Sequence, residues 1–157
     1  MIPSLGSKGQ GWVALQGVLL VAILVVGLLD RGGWPDAVRT ALLVVGIALK
    51  AAGVAVFTAA IVGLGSALTA NPAPLRDASL RSGGVYGVVR HPIYSGLILA
   101  STGFALATGP WALVPVALLA VELDLKRRVE ERWLLEAYPE YADYRRRVGA
   151  ALVPGIW

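Results

Sequence analysis

The chain has no cysteine, one histidine and one methionine, and only 15% of its 157 residues are charged. Each scarcity excludes something. Without cysteine there is no disulfide framework, no thiolate nucleophile and no cysteine-ligated metal, and the redox compartment stays undetermined. A soluble globular domain carries about a quarter charged residues, so this chain is too apolar for water on average. Its length allows about one domain. A dinucleotide-binding domain would take most of that length, leaving no room for it beside a membrane region. Phosphate-loop and nucleophile-elbow motifs are also missing. Gly63-Leu64-Gly65 begins like GxGxxG, but Leu68 stands where the last glycine belongs and no strand precedes it.

What the chain does have is long apolar runs. From Trp12 to Leu29 it reads WVALQGVLLVAILVVGLL without a charge. As a helix that is about 27 Å long, close to the roughly 30 Å hydrocarbon core. A cleaved signal peptide fits poorly, because the run is long, Lys8 is its only preceding cation, and GLLD lacks small cleavage residues. A second run, Thr40 to Leu68, is broken only by Lys50, and a third, Ile93 to Val121, carries no charge. Proline is tolerated only in a helix's first turn, so Gly109-Pro110 divides the third run in two. The spacing predicts an all-α integral membrane protein with about four transmembrane helices, at 12–29, 40–64, 93–108 and 110–125. A single domain over 1–157 would then carry its polar segments, 65–92 and 126–157, on one side. The tail begins KRRVEERWLLEA, read as a helix that continues the fourth membrane helix, with Arg127 and Glu131, and Arg132 and Glu136, at i,i+4 spacing.

Charge distribution orients this arrangement. Lys8, Arg76, Arg81, Arg90, Lys126, Arg127, Arg128, Arg132, Arg145, Arg146 and Arg147 fall on the side of the termini, against Arg31 and Arg39 opposite. The positive-inside rule makes the termini cytoplasmic. The net charge of +4 is therefore mostly topology, and no nucleic-acid partner is expected. Lys50 falls near the middle of its span, where a charge is either functional or snorkels to the surface.

Chemistry is expected where the two polar segments meet. His91 in VVRHPIYSG precedes Pro92 at a helix start, where unpaired backbone N–H groups can bind a carboxylate or phosphate. Tyr94 is expected to face inward with Gly96, Ala100 and Gly103, a stripe that lets another helix approach. Glu130 and Glu131 point about 100° apart on a helix, so one can face the bundle and the other water. One histidine with two adjacent acids lacks ligand spacing for a metal, and none is expected. Ser95 has His91 four residues away but no nearby acid, which argues against a serine nucleophile.

These residues carry a resemblance. GGVYGVVRHPIYSG, a membrane hairpin, then EERWLLEAYPEYADYRRRV resembles the isoprenylcysteine carboxyl methyltransferase family, and the wider membrane group that includes phospholipid N-methyltransferases. The likeness covers roughly residues 64–154, through Gly84, Tyr86, Arg90, His91, Pro92, Tyr94, Gly96, Glu130, Glu131, Leu134, Tyr138, Tyr141, Tyr144 and Pro154. It implies S-adenosylmethionine as cofactor at the cytoplasmic face. Contacts would come from Tyr86, His91, Pro92, Ile93, Tyr94, Glu130 and Glu131, with a loop at Ala78, Ser79, Leu80 and Arg81 closing over it. The acceptor would be lipophilic, would enter from the bilayer beside membrane lipid, and is read as an isoprenylcysteine-like carboxylate. Arg90, Lys126 and Arg127 are the expected catalytic cations. Lys126 stands where such enzymes place arginine, and Ala150 and Ala151 where they often have another. A phospholipid or small-amine acceptor, or a non-catalytic membrane module, remain the alternatives.

Overall fold

The computed structural model describes residues 2–30, 33–65, 68–69 and 80–155. Aliphatic runs without interior proline become helices. The first is α1, Gln10–Leu29, which starts after Gly9, a glycine in the left-handed region at φ 76°. The second, α2, spans Asp36–Leu64 and opens on an acidic residue, which suits the positive end of the helix dipole. Proline starts the next two segments. Pro92 heads α3, Pro92–Thr108, while Pro110 heads a 3-10 turn that runs into α4, Leu113–Ala137. A short α5, Tyr141–Arg147, follows. Among the described residues there is no strand.

α3 is the hub. α2 packs along one side of it, and α1 and α4 pack together on the other. The α2 side is a backbone-to-backbone contact that only small residues allow. A Cβ on Gly96 would come within 2.7 Å of the Phe57 nitrogen, and one on Gly46 within 2.6 Å of the Gly103 oxygen. A Cβ on Gly53 would strike the Ala100 backbone. Small residues permit the same close approach in membrane bundles generally. The stripe is therefore as expected, with one correction. Tyr94 does not share it, because two residues along a helix turn the direction by about 200°. Tyr94 faces α4, joining the core of Ile23, Leu119, Leu123 and Leu152.

α4 answers the expected hairpin and tail together. It begins in the predicted fourth span and continues without a break to Ala137, about 37 Å of helix. Among the described residues two helices, α1 and α2, are long and apolar enough to cross a membrane, with mean hydropathy 2.6 and 2.2. Only 22% and 11% of those windows are buried, whereas the core helix of a soluble protein is mostly covered. Val18, Leu28, Val44 and Val62 are among the large side chains they expose. Lys50 is exposed on α2, with Nζ 5.9 Å from the Phe104 ring centroid, and takes no part in the site below.

The end of the chain straps the start of α3. The Arg90 and His91 amides donate to the Ala150 and Ala151 carbonyls at 3.1 and 3.0 Å. Ser95 Oγ donates to the Leu152 carbonyl at 2.6 Å. These bonds alter one expectation. The N–H groups of Arg90 and His91 are occupied by the strap, and that of Tyr94 bonds the His91 carbonyl. Three of the amides around the helix start are thus already engaged.

Candidate functional site

Three side chains from the start of α3 meet three from the C-terminal half of α4. Arg90 Nε lies 3.0 Å from Glu131 Oε1, and its Nη1 donates to the Val148 and Gly149 carbonyls at 2.7 and 2.6 Å. His91 Nε2 lies 3.1 Å from the same Glu131 oxygen, with the Nε2–H tautomer donating. The opposite ring nitrogen, Nδ1, is 3.6 Å from Glu130 Oε2. Tyr94 Oη donates to Glu130 Oε2 at 2.8 Å and its ring stacks on His91, centroids 5.4 Å apart. Lys126 Nζ donates to Gln16 Oε1 of α1 at 2.6 Å and sits 5.2 Å from the Tyr94 ring centroid. The last contact has cation–π geometry.

The two acids therefore differ, though not as their 100° separation suggests. Neither faces open water. Glu131 is 4% exposed and stands among Arg90, His91, Arg127 at 3.8 Å and Arg145 at 3.7 Å. Burial opposes its ionisation, but hydrogen bonds and charge from His91 and Arg90 outweigh that and hold the carboxyl at about 2. It is an anion at neutral pH. Glu130 is half-buried and faces a cavity.

That cavity, of about 590 Å³, has two kinds of wall. Ligand pockets fall in the range of about 300 to 1,000 Å³. One wall is polar and aromatic, with Arg81, Tyr86, His91, Tyr94, Lys126, Glu130, Tyr138, Tyr141 and Tyr144. The other is apolar and spans the gap between α1 and α2, through Val13, Leu20, Phe57, Ile61, Ile93 and Leu97. Tyr86 donates to the Ala60 carbonyl at 3.2 Å and Tyr144 to the Tyr86 carbonyl at 2.7 Å. Burial, reinforced by the Glu130 charge at Tyr86, pushes both phenols up to about 12, so they remain neutral donors.

Of the residues expected at the site, Leu80, Arg81, Tyr86, Arg90, His91, Pro92, Ile93, Tyr94, Lys126 and Glu130 line this one cavity. Glu131 stands behind the wall, holding Arg90 and His91. Arg127 turns to Asp124 at 2.6 Å and is away from the wall. Arg132 turns to the Ile2 carbonyl at 2.9 Å rather than to Glu136. Ala78 and Ser79 lie outside the described residues. Three features escaped the sequence reading. Gln16, the one polar side chain in the run 12–29, receives Lys126. Tyr141 lines the cavity with a buried hydroxyl that has no hydrogen-bond partner. Glu122 is buried one turn before Lys126, also unpartnered. An acid inside a segment read as membrane-spanning was the available signal for the last. Among the described residues no three His, Asp or Glu side chains converge as metal ligands.

Fold and site together define a helical protein with an outward apolar surface and a polar, aromatic-lined cavity at one end. Comparison with known proteins makes this specific. The chain belongs to the phospholipid methyltransferase family, whose sequence profile matches residues 35–141. That is the wider group the motif resembles, and the match includes α2, which sequence reading treated as a generic span. The chain is also 35% identical, over 77 residues, to the cobalt-zinc-cadmium resistance protein CzcN of Cupriavidus metallidurans. The aligned part is 48% of this chain and 36% of that relative. No solved structure matches.

Proposed function

We propose that the protein transfers a methyl group from S-adenosylmethionine to a lipophilic acceptor whose polar head is a carboxylate, of the isoprenylcysteine type. The observation that carries this reading is the convergence of His91, Tyr94, Glu130 and Lys126 on one cavity that continues into an apolar cleft. The cofactor's chemistry fits these groups. Glu130 offers a carboxylate to an amino group or ribose hydroxyls, the tyrosines offer faces for a purine, and the orphaned Tyr141 hydroxyl offers a donor. When bound, the cofactor supplies an electrophilic methyl group on a sulfonium centre.

The protein's part is alignment and exclusion of water, because in-line displacement by an ionised carboxylate needs no general base. Lys126 holds the acceptor's anionic head without hydrogen-bonding it through a rigid fork, as arginine would. Tyr94 fixes Glu130 and carries the Lys126 ammonium on its ring. Arg90 and Glu131 act as positioning residues, tying His91 and the strap to α4. Arg127 supports Asp124 and Glu131 from behind. The acceptor's apolar part lies between α1 and α2 over Ile93 and Leu97. In this reading the whole chain, 1–157, is one domain. All four predicted segments cross the bilayer, and the termini and cavity are cytoplasmic.

An amine acceptor is the second reading, favoured by the family's description as phospholipid methyltransferases. It needs a base. Glu131, held at about 2, is unsuited to that, which leaves His91. Lys126 would also repel a protonated amine. Methyl transfer from labelled cofactor in lipid nanodiscs separates the two, with an S-prenylcysteine and a phosphatidylethanolamine as acceptors. Label in the prenylcysteine ester supports the first reading. Label only in the phospholipid overturns it for the second, and label in neither defeats both.

A further inference from the structure

Glu122 has no role in the geometry so far. It lies on α4 four residues before Lys126, one helical turn, and is 3% exposed. Neither carboxylate oxygen has a hydrogen-bond partner. It is not on the cavity wall. A carboxylate at membrane depth is expensive and is a functional hypothesis by default, with its partner to be named. The charged group one turn above it, on the same buried face of α4, is Lys126.

Lys126 is 2% exposed. From α1 it meets the neutral Gln16 amide, and from α3 the Tyr94 ring with His91 stacked on it. Burial lowers the proton affinity of the ammonium, while Glu122 first and Glu130 second raise it. Glu130 is engaged by the Tyr94 hydroxyl and leans toward the cavity. Glu122 has no such engagement.

We infer that Glu122 is a positioning residue for Lys126: its charge, one turn deeper on the same buried face, keeps the ammonium protonated over the Tyr94 ring and so makes this end of the cavity select an anionic acceptor head. The selectivity half rests on the function proposed above. The protonation half rests on the arrangement of α1, α3 and α4 alone.

The chain contains three lysines, Lys8, Lys50 and Lys126, which makes a direct test practical. Lysine labelled with 13C at Cε gives few resonances from the full chain in nanodiscs, and Lys126→Arg assigns one by its loss. In Glu122→Gln the Lys126 titration midpoint is expected to fall by about one pH unit or more, with Lys8 and Lys50 unmoved. Glu122→Asp is expected to restore most of the shift. Glu122→Met, of similar volume, serves if the amide variant folds poorly. An unmoved midpoint overturns the inference, as it would if Glu122 were protonated throughout.

The second arm measures KM for an N-acetylated S-prenylcysteine against pH. Glu122→Gln is expected to raise KM several-fold at alkaline pH while sparing kcat, and adding Lys126→Arg is expected to remove that pH dependence. A shifted midpoint with an unchanged KM overturns the selectivity half. No transfer by the wild type would defeat the proposed function and leave the titration result standing.

Discussion

Glu130 and Glu131 are adjacent in sequence and identical in chemistry, yet surroundings divide their work. Glu131 is locked behind the wall by Arg90 and His91, while Glu130 meets the cavity through Tyr94. The pairing has a pH signature. Glu131 ionises at about 2 in the fold against 4.5 ordinarily, so its stabilisation is present above pH 4.5 and is lost as pH falls towards 2. A depression of that size corresponds to about 3 kcal/mol. Melting the wild type between pH 6 and pH 3 should therefore show a falling Tm, whereas Glu131→Gln should start low and fall less. Parallel curves for the two would contradict the assignment. Tyr141 gives a second residue-scale expectation. Its unpartnered hydroxyl on the cavity wall should make Tyr141→Phe weaken cofactor binding by about tenfold, the worth of one hydrogen bond. Isothermal titration measures this, and equal affinity would remove the hydroxyl from the site. At this scale the sequence identified the motif residues but not their partners. Gln16 and Lys126 are far apart in the chain, and only the packing of α1 on α4 brings them together.

At the scale of elements, periodicity and proline did most of the work. Apolar runs marked the helices, Pro92 and Pro110 marked two starts, and α4 continues past 125 into the tail, as expected, because nothing there breaks a helix. The strap was not legible, since GAALVPG, which follows Val148, has no helical or strand period. Its place follows from carbonyls that satisfy Arg90, His91 and Ser95. Helix contacts can be tested through their glycines. A Cβ on Gly53 meets the Ala100 backbone, which cannot yield as a flexible side chain would. Gly53→Ala should cost roughly 1 to 3 kcal/mol and lower Tm, as overpacking does. Gly17 on α1 has open space around its absent Cβ. Gly17→Ala should be neutral or slightly stabilising, because alanine is the better helix former by about 1 kcal/mol. Equal losses in both variants would mean that helix propensity, not the α2–α3 contact, decides.

For the whole molecule, the bundle keeps its polar chemistry at one end and its aliphatic surface along the sides. The proposed topology follows from that separation and from the basic residues beside the termini. The chain's lack of cysteine makes the topology testable by single replacements. In oriented vesicles, an impermeant maleimide should reach Ser4→Cys and Glu140→Cys from the cytoplasmic side, and Asp36→Cys and Trp111→Cys from the other. Labelling of Asp36→Cys and Ser4→Cys from the same side would refute a first crossing.

The most direct measurement is equilibrium binding of S-adenosylmethionine to the purified full chain in nanodiscs, for wild type, His91→Ala, Glu130→Ala and the double variant. Glu136→Ala, at an exposed position on the same helix, is the control. If α3 and α4 build one site, each single change weakens binding at least tenfold, the double change costs less than the sum, and the control binds normally. Failure of the wild type to bind, or affinities unchanged in both single variants, would contradict the account.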